Sequence, residues 1–142
     1  MQAAMMFSSF SKCGSRQVGA VLVQDGSVVS QGYNGSPRGS SLCQDGSCRR
    51  RDAGHSSGEG LHLCPAVHAE ANCLVQAARN GVCTKGGTLY LYAQVRPCRI
   101  CVGLMINAGV KRLVVLEDAV AYDDLAELLL FEGPMEIDVV SL

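Results

Sequence analysis

Apolar and polar residues along the chain follow patterns that predict strands and helices in turn. Two apolar runs flank Asp25-Gly26, and this pair favours a hairpin because both turn positions tolerate positive φ. The predicted strands cover residues 18–23, 27–32, 88–93, 112–116 and 135–140. The predicted helices cover residues 3–13, 65–79, 97–107 and 123–131.

Two of the predicted helices open with a proline, Pro65 and Pro97, since a proline at the first helical position loses no internal hydrogen bond. Asn80-Gly81 is a suitable stop for the first of them. That helix is expected to turn one apolar face to the core, and the residues of this face are Val67, Ala71, Leu74, Val75 and Ala78.

The order of predicted elements, α-ββ-α-β-α-β-α-β, implies an α/β fold with a mixed sheet and helices on both faces. At 142 residues the chain is long enough to bury a core, so we expect a single domain over residues 1–142. Residues 38–64 depart from the pattern because they are rich in Gly, Ser, Cys and Arg. A loop of that length is usually functional or tied down, and this Cys-rich insert contains cysteines that could tie it.

The charge balance argues against a nucleic-acid partner. The formal net charge is −1, so no basic surface for a phosphate backbone is indicated. The one basic run, Arg49-Arg50-Arg51, is expected to be a solvated loop, with phosphate binding as the alternative.

Nothing in the sequence predicts a membrane partner or export. No stretch approaches the ~20 apolar residues of a membrane span, and residues 1–10 lack the features of a signal peptide. We therefore expect an intracellular, cytoplasmic protein. In that compartment its eight cysteines are expected to be reduced thiols or metal ligands rather than disulfides.

Three residues in two distant motifs have the chemistry of a catalytic zinc site. His68, Cys98 and Cys101 supply three of the four ligands that zinc prefers, which leaves one position for water. The two cysteines lie one turn apart at a predicted helix start, where free N–H groups favour thiolates. Glu70 follows the histidine by two residues, and this H-x-E with P-C-x-x-C pattern is the signature of zinc deaminases.

The predicted chemistry is hydrolytic deamination. Zinc lowers the pKa of bound water from ~16 towards ~7, so a zinc-bound hydroxide is available to attack the amine-bearing carbon, C4 of cytosine. Glu70 would take the proton of the water, pass it to the ring and help ammonia leave. A structural zinc knuckle or a redox pair would also explain Cys-x-x-Cys, but neither needs both His68 and Glu70.

Several further motifs between Ser11 and Leu116 match one known family. They are Ser11-Lys12-Cys13, Val18-Gly19-Ala20-Val21, Gly32-Tyr33-Asn34-Gly35-Ser36-Pro37, Val67-His68-Ala69-Glu70-Ala71-Asn72, Gln76-Ala77-Ala78-Arg79, Pro97-Cys98 with Cys101, and Ile106-Asn107-Ala108-Gly109-Val110. With them the chain resembles the cytidine/deoxycytidylate deaminase superfamily. The Gly-Tyr-Asn-Gly-x-Pro loop and the Cys-rich insert are similar to those of its deoxycytidylate (dCMP) deaminases.

This resemblance implies a three-layer α/β/α fold whose five-stranded mixed sheet has the order 2-1-3-4-5. It implies a hydrolase that converts dCMP to dUMP and ammonia, with Asn34 holding the sugar hydroxyl. The expected substrate-binding residues are Asn34, Tyr33, Ala69, Arg38 and Arg16. Family members are commonly hexamers, and many are activated by dCTP and inhibited by dTTP with Mg²⁺, so a homo-oligomer with these effectors is expected.

The chain departs from the family pattern at two places. Gln94-Val95-Arg96 replaces a Thr-x-Ser run before Pro97, and position 73 is Cys where a small apolar residue is usual. The first departure lies near the expected base pocket, so a 5-substituted dCMP, cytidine or deoxycytidine stays open as substrate. A base within tRNA and a catalytically silent nucleotide-binding zinc protein are further alternatives. The low net charge argues against tRNA, and the presence of Glu70 argues against a silent protein.

The remaining cysteines raise the prospect of a second metal. Relatives often hold a structural zinc in this region, so the resemblance implies a second zinc on Cys13, Cys43, Cys48 and Cys64. His55 and His62 are nearby, which leaves the ligand set open, and a mobile loop with unliganded thiols is the alternative. Cys73 is expected in the core and Cys83 in a loop. For the phosphate, Arg16, Arg38 and the 49–51 run are all candidates.

Overall fold

A computed structural model describes residues 1–56 and 58–142 of the chain. Within these residues five strands form one sheet in the order β2-β1-β3-β4-β5. The strands are β1 (Gly19–Gln24), β2 (Ser27–Tyr33), β3 (Thr88–Tyr92), β4 (Arg112–Leu116) and β5 (Glu136–Val140). β2, β1 and β3 pair antiparallel, whereas β3, β4 and β5 pair parallel. The mixed sheet and its order are therefore confirmed.

Helices cover both faces of the sheet. They are α1 (Gln2–Ser8), α2 (Arg49–Asp52), α3 (Ala69–Arg79), α4 (Arg99–Asn107) and α5 (Asp124–Glu132), with a 3₁₀ turn at Leu61–Leu63. α1 contacts β1 and β3 from one side, while α3 packs on β2 and β1 from the other and is followed by α4 and α5. In the described part of the chain no helix is long and apolar enough to cross a membrane.

Two glycines allow helices to lie directly on the sheet backbone. A Cβ on Gly19 would lie 2.1 Å from the Ala4 carbonyl oxygen in α1. A Cβ on Gly32 would lie 2.4 Å from both the Ala69 oxygen and the Cys73 nitrogen in α3. Gly32 pairs with Ala20, the residue after Gly19, so the two glycines face opposite sides of the sheet. On each face of the sheet a helix therefore packs directly against the strand backbone, at a distance that only glycine allows.

The main core lies between the sheet and helices α3, α4 and α5. Its buried members come from β1, β3 and β4 and from all three helices. The largest fully buried side chains of this cluster are Leu22, Leu89, Leu91, Met105, Leu113, Val102 and Val115. This core fixes the start of α3 relative to the start of α4, where the chemistry is placed.

The start of α3 differs from the prediction. Pro65 does not open the helix, because Val67 exchanges two backbone hydrogen bonds with Gly35 at 2.8 and 3.1 Å, which keeps this stretch extended. The helix begins at Ala69 with His68 as its N-cap.

The predicted apolar face of α3 is wrong in most of its members, although Leu74 does pack against the core. The residues that it buries are Ala69, Glu70, Cys73 and Ala77, and Val75 is 54% exposed. The close approach to Gly32 explains the difference, since a helix lying on a strand backbone has room for small side chains.

Other boundaries deviate less. The predicted strands agree with the observed ones to within a residue or two, and the Asp25-Gly26 hairpin turn is confirmed by positive φ at both residues, 49° and 75°. α1 ends at Ser8 rather than at residue 13, where the Ser8 hydroxyl donates to the Met5 carbonyl at 2.7 Å. The 38–64 insert contains α2 and the 3₁₀ turn, neither of which the sequence pattern predicts.

Candidate metal centre and substrate cavity

The two helix starts bring the three predicted zinc ligands together. His68 is the N-cap of α3, Cys98 is the N-cap of α4, and Cys101 follows in the first turn of α4. Nδ1 of His68 lies 3.6 Å from Sγ of Cys98 and 3.5 Å from Sγ of Cys101. Tetrahedral zinc with its usual bond lengths to nitrogen and sulfur holds these atoms about 3.6 Å apart. The donor set and its spacing therefore fit a zinc ion.

The electrostatics of the three ligands also suit a cation. Hydrogen bonds from the Cys101 thiol and from His68 lower the pKa of Cys98 to about 3. The pKa of Cys101 is raised because its thiol is held in a hydrogen bond to Cys98, and burial adds to this effect. The pKa of His68 is raised, chiefly by its hydrogen bond to Cys98. A thiolate is thus already favoured at this place.

Glu70 is the buried acid of the site. It lies in the first turn of α3 and its side chain is 4% exposed. Burial raises the pKa of its carboxyl group, and the Cys98 sulfur adds to the rise, whereas His68 opposes it. A carboxyl group in such surroundings exchanges protons closer to neutral pH than a solvated one, as a general acid or base requires.

A cavity of about 280 Å³ opens beside these residues. Among the residues predicted to contact substrate, Asn34, Ala69 and Arg16 line it, together with His68 and Glu70. Apolar side chains also line it, and they include Val18, Leu91, Ala93 and Val95. The carboxyl group of Glu70 therefore lies beside a space in which a planar ring can be enclosed.

The side chain of Asn34 holds the cavity rim in place. Its Oδ1 accepts from the Val18 N–H at 2.9 Å, and its Nδ2 donates to the Arg16 carbonyl at 2.9 Å. The amide oxygen and the amide nitrogen can each form one further hydrogen bond, so Asn34 could also bind a sugar hydroxyl.

Two predicted substrate residues are not placed at this cavity. The ring of Tyr33 packs on Phe10 with centroids 6.0 Å apart, and Tyr33 is not among the described residues of the cavity wall. Arg38 is exposed and donates to Oε1 of Gln76 at 2.6 Å, also away from that wall. Strand alternation explains the first case, because Tyr33 faces the side opposite to Gly32 and α3.

The cysteines of the insert gather without forming a second tight ligand group. Burial raises the pKa of Cys43, and the nearby Cys13, Cys64 and Cys48 raise it further, so the four lie close enough to interact. Within the described residues, however, only the His68 group has three such ligand atoms within 4.8 Å of one another. The rings of His55 and His62 contact each other edge to face at 6.3 Å.

Sequence reasoning missed Tyr122, which also lines the cavity. Burial raises the pKa of its phenol, and the sulfurs of Cys98 and Cys101 and the carboxylate of Glu70 add to the rise. The residue lies in the loop after β4. A signal was available, because ligands of α/β proteins commonly bind beyond the carboxyl ends of parallel strands.

The loop that carries Tyr122 is fastened to the start of α4. Backbone hydrogen bonds of 3.0 Å join Gln94 and Arg96 to Val120. Asp123 then accepts from the Arg99 N–H at 2.9 Å through Oδ2 and from the Ala126 N–H at 3.2 Å through Oδ1. One carboxylate therefore caps both α4 and α5.

Arg96, part of the departure from the family pattern, also lines the cavity. Its Nη1 pairs with Oε2 of Glu127 in α5 at 2.7 Å. Its Nε is buried and has no hydrogen-bond partner among the described residues. Arg96 thus has one N–H donor that is buried and unused in a residue of the cavity wall.

Fold and site together define a three-layer α/β protein that can hold zinc with one histidine and two cysteines beside a buried glutamate. The sequence profile of the cytidine and deoxycytidylate deaminase zinc-binding region matches residues 1–117. The chain belongs to that family.

Individual relatives agree with this assignment. The chain is 39% identical over 109 residues to the deoxycytidylate deaminase of Mycobacterium phage D29, a match that covers 73% of this chain and 80% of the phage protein. It is 38% identical over 114 residues to that of Schizosaccharomyces pombe, covering 80% of this chain. The match spans only 34% of the length of the yeast protein.

A solved structure agrees over nearly the whole chain. The dCMP deaminase of cyanophage S-TIM5, in complex with dCMP and dUMP, superposes with a TM-score of 0.74 at 26% identity. The match covers 98% of this chain and 92% of the cyanophage chain.

Proposed function

We propose that this protein hydrolyses dCMP to dUMP and ammonia. The observation that carries the proposal is the spacing of His68, Cys98 and Cys101, 3.5 to 3.6 Å from nitrogen to sulfur, beside the buried carboxyl group of Glu70. Bound zinc would supply a water molecule that ionises near neutral pH.

The chain itself moves the protons. Glu70 would accept one proton from the attacking water and deliver it to the ring nitrogen. It would then take the second proton from the new C4 hydroxyl group and give it to the amine, so that the C–N bond breaks, the C4 carbonyl forms, and dCMP and water become dUMP and ammonia. Burial raises its pKa and so makes both transfers feasible near neutral pH. The apolar walls formed by Leu91, Ala93 and Val95 exclude bulk water from the ring.

The choice of dCMP draws on the relatives. The D29 and S-TIM5 proteins, which match most of this chain, are named for that substrate, and the S-TIM5 structure contains dCMP and dUMP. Asn34 and Ala69 line the same cavity as the proposed zinc ligand His68, so the sugar and base of a nucleotide could contact them there.

The test is ammonia release from dCMP, compared with deoxycytidine, cytidine, dCTP and 5-substituted dCMP. We expect turnover of dCMP and a loss of about 10³-fold in kcat for Glu70→Gln with zinc content unchanged. Glu117→Gln, an exposed residue at the end of β4, is the matched control and should keep full activity. Joint loss of zinc and activity in Glu70→Gln would mean that Glu70 is a ligand.

The same comparison separates the other candidate functions. A clear preference for a 5-substituted dCMP would direct attention to Arg96, whose unpaired Nε lies at the cavity. Zinc binding and nucleotide binding without turnover of any compound would favour the silent nucleotide-binding protein.

A second, structural zinc is the next part of the proposal. It is supported by the convergence of Cys13, Cys48 and Cys64 on Cys43. Binding would draw the four sulfurs closer together and tie the insert to the first loop. Metal analysis should give about two zinc ions per chain, and one in Cys43→Ser. A value near one in the unaltered protein would leave the insert without a metal.

A homo-oligomer and regulation by dCTP, dTTP and Mg²⁺ remain expectations from the family. Apolar side chains on the outer faces of α4 and α5 support the oligomer, and they are Ile100, Leu104, Leu125, Leu128 and Phe131. Light scattering on the purified protein with and without each nucleotide would test both expectations.

A further inference from the structure

The three arginines of α2 have very different surroundings. Arg49 and Arg51 are exposed, and Nη1 of Arg51 donates to the Gly14 carbonyl. Arg50 is only 6% exposed and lines the same cavity as His68 and Glu70. The expectation of a solvated loop is therefore wrong for Arg50, the central residue of the run.

The charge of Arg50 lacks a carboxylate partner within the protein. Its Nη1 donates to the Glu59 carbonyl at 2.9 Å. Among the described residues no acidic oxygen lies within 4.0 Å of its guanidinium group, whereas Arg96, Arg99 and Arg112 each have one. Its guanidinium group also hydrogen-bonds the thiol of Cys48 and contributes to lowering the pKa of that thiol. A buried and permanent positive charge held by a carbonyl and a thiol, but by no carboxylate, is costly, so an anion entering the cavity would relieve that cost.

The other basic residues are less suited to this task. Arg38 lies outside the cavity and is hydrogen-bonded to Gln76, and the charge of Arg96 is neutralised by Glu127. Arg16 lines the cavity with Arg50. Of the arginines on the cavity wall, Arg50 in the insert is therefore the buried one for which no carboxylate lies in ion-pair distance among the described residues.

We propose that Arg50, with Arg16 beside the same cavity, binds the 5′-phosphate of the nucleotide substrate. This inference rests on the proposed function and names the residue that makes a monophosphate, rather than a nucleoside, the substrate. A guanidinium group suits a phosphate dianion because its N–H donors can bind two oxygens at once. The insert would then supply substrate recognition as well as a wall of the cavity.

The experiment compares kcat/KM for dCMP and for deoxycytidine in three proteins. We expect Arg50→Gln to lower kcat/KM for dCMP by about 10- to 100-fold, as for a lost charge-assisted hydrogen bond, and to leave that for deoxycytidine within about threefold. Arg49→Gln, one residue away on the same short helix but exposed, should leave both values unchanged.

A structural role for Arg50 at Cys48 would give a different result. Equal losses on both substrates, or a lower melting temperature with an unchanged ratio of the two kcat/KM values, would overturn the proposal. If Arg50→Gln does not fold, Arg50→Lys keeps the charge. It should still lower the ratio of dCMP to deoxycytidine turnover, because an ammonium group cannot bind two phosphate oxygens in a fork. An unchanged ratio in Arg50→Lys would then count against the proposal.

A second measurement distinguishes failure of the phosphate site from failure of the proposed deaminase function. If the unaltered protein deaminates neither compound, calorimetry with dUMP and deoxyuridine replaces the rate comparison. Tighter binding of dUMP that disappears in Arg50→Gln would support the phosphate site without deamination. Equal binding of both compounds would overturn it.

Discussion

At the scale of single residues, the cysteines of this chain lie in very different surroundings. Cys73 is fully buried under the sheet, and burial raises its pKa to about 11. Cys83 lies exposed in the turn after α3. The sequence prediction of one core and one loop residue is therefore confirmed. A buried and protonated thiol reacts slowly, because the thiolate is the nucleophile.

Alkylation of the native protein should reveal this contrast. Iodoacetamide at pH 8 is expected to modify Cys83 within minutes and to leave Cys73 unmodified until the protein is denatured. Peptide mass spectrometry measures both sites in one sample. Equal rates at the two cysteines would mean that α3 opens readily from the sheet.

Residues differ in how far sequence reasoning can place them. The zinc ligands were predictable because zinc demands fixed donor types and both motifs are short. Arg50 was not, since a run of like charges is normally solvated and its burial depends on how the insert folds back over the cavity. The position of Tyr33 away from the cavity was not predictable, because a motif gives no information about which face of a strand a residue occupies.

At the scale of elements, the contact of α3 with β2 depends on the absence of one side chain. Gly32→Ala would place a Cβ 2.4 Å from the α3 backbone, so helix and strand would have to separate. We expect a loss of about 1–3 kcal/mol in the free energy of unfolding and lower activity, since His68 and Glu70 lie at the start of that helix.

Gly35→Ala is the matched control for this prediction. A Cβ on Gly35 would meet nothing within 4 Å, so stability and activity should change little. Urea unfolding of both variants gives the comparison. A fully stable Gly32→Ala protein would show that α3 can shift without cost.

The side chain of Asp123 links helices α4 and α5. Asp123→Ala removes the acceptor for the Arg99 N–H in α4 and for the Ala126 N–H in α5. We expect a melting temperature lower by a few degrees and zinc affinity lower by about tenfold, because Cys98 at the α4 start loses its support. Differential scanning fluorimetry and a zinc competition titration measure the two effects.

Asp118→Ala, a change of an exposed residue in the turn before Asp123, should alter neither the melting temperature nor the zinc affinity.

The backbone N–H of Arg99 lowers the pKa of Asp123. The stabilisation from this carboxylate is therefore complete above the ordinary carboxyl pKa and is lost as the pH falls through the lowered value. Unchanged zinc affinity in Asp123→Ala would limit Asp123 to capping α5.

Element boundaries followed from local patterns where no distant contact intervened. The strands and the 25–26 turn are examples, because alternation and turn chemistry are local. The start of α3 was wrong because the bridge between Val67 and Gly35 is a tertiary contact across more than thirty residues. No helical period in the sequence reports such a contact.

At the scale of the whole molecule, a zinc ion at the proposed site would be a cross-link. His68 caps α3, Cys98 caps α4 and Cys101 lies in α4, so the ion would join two helices whose packing otherwise depends on the core. Chelation should lower the melting temperature by several degrees, because zinc binds the folded chain alone. Scanning calorimetry with and without a chelator measures it.

Cys98→Ser provides the control for chelation. This variant should have a low melting temperature from the start and respond less to the chelator than the unaltered protein. Equal responses of the two proteins would place the stabilising metal elsewhere, for example in the insert.

The positions of the proposed zinc ligands and of Glu70 have a consequence for how such proteins diversify. His68, Glu70, Cys98 and Cys101 all lie between the N-cap of α3 and the first turn of α4, a continuous helix–strand–helix segment. Other residues of the cavity wall, such as Asn34, Arg50 and Tyr122, come from outside it. If the proposed function is correct, mutation of the loops at either end could change which molecule is recognised, while the segment with the proposed zinc ligands is inherited unchanged.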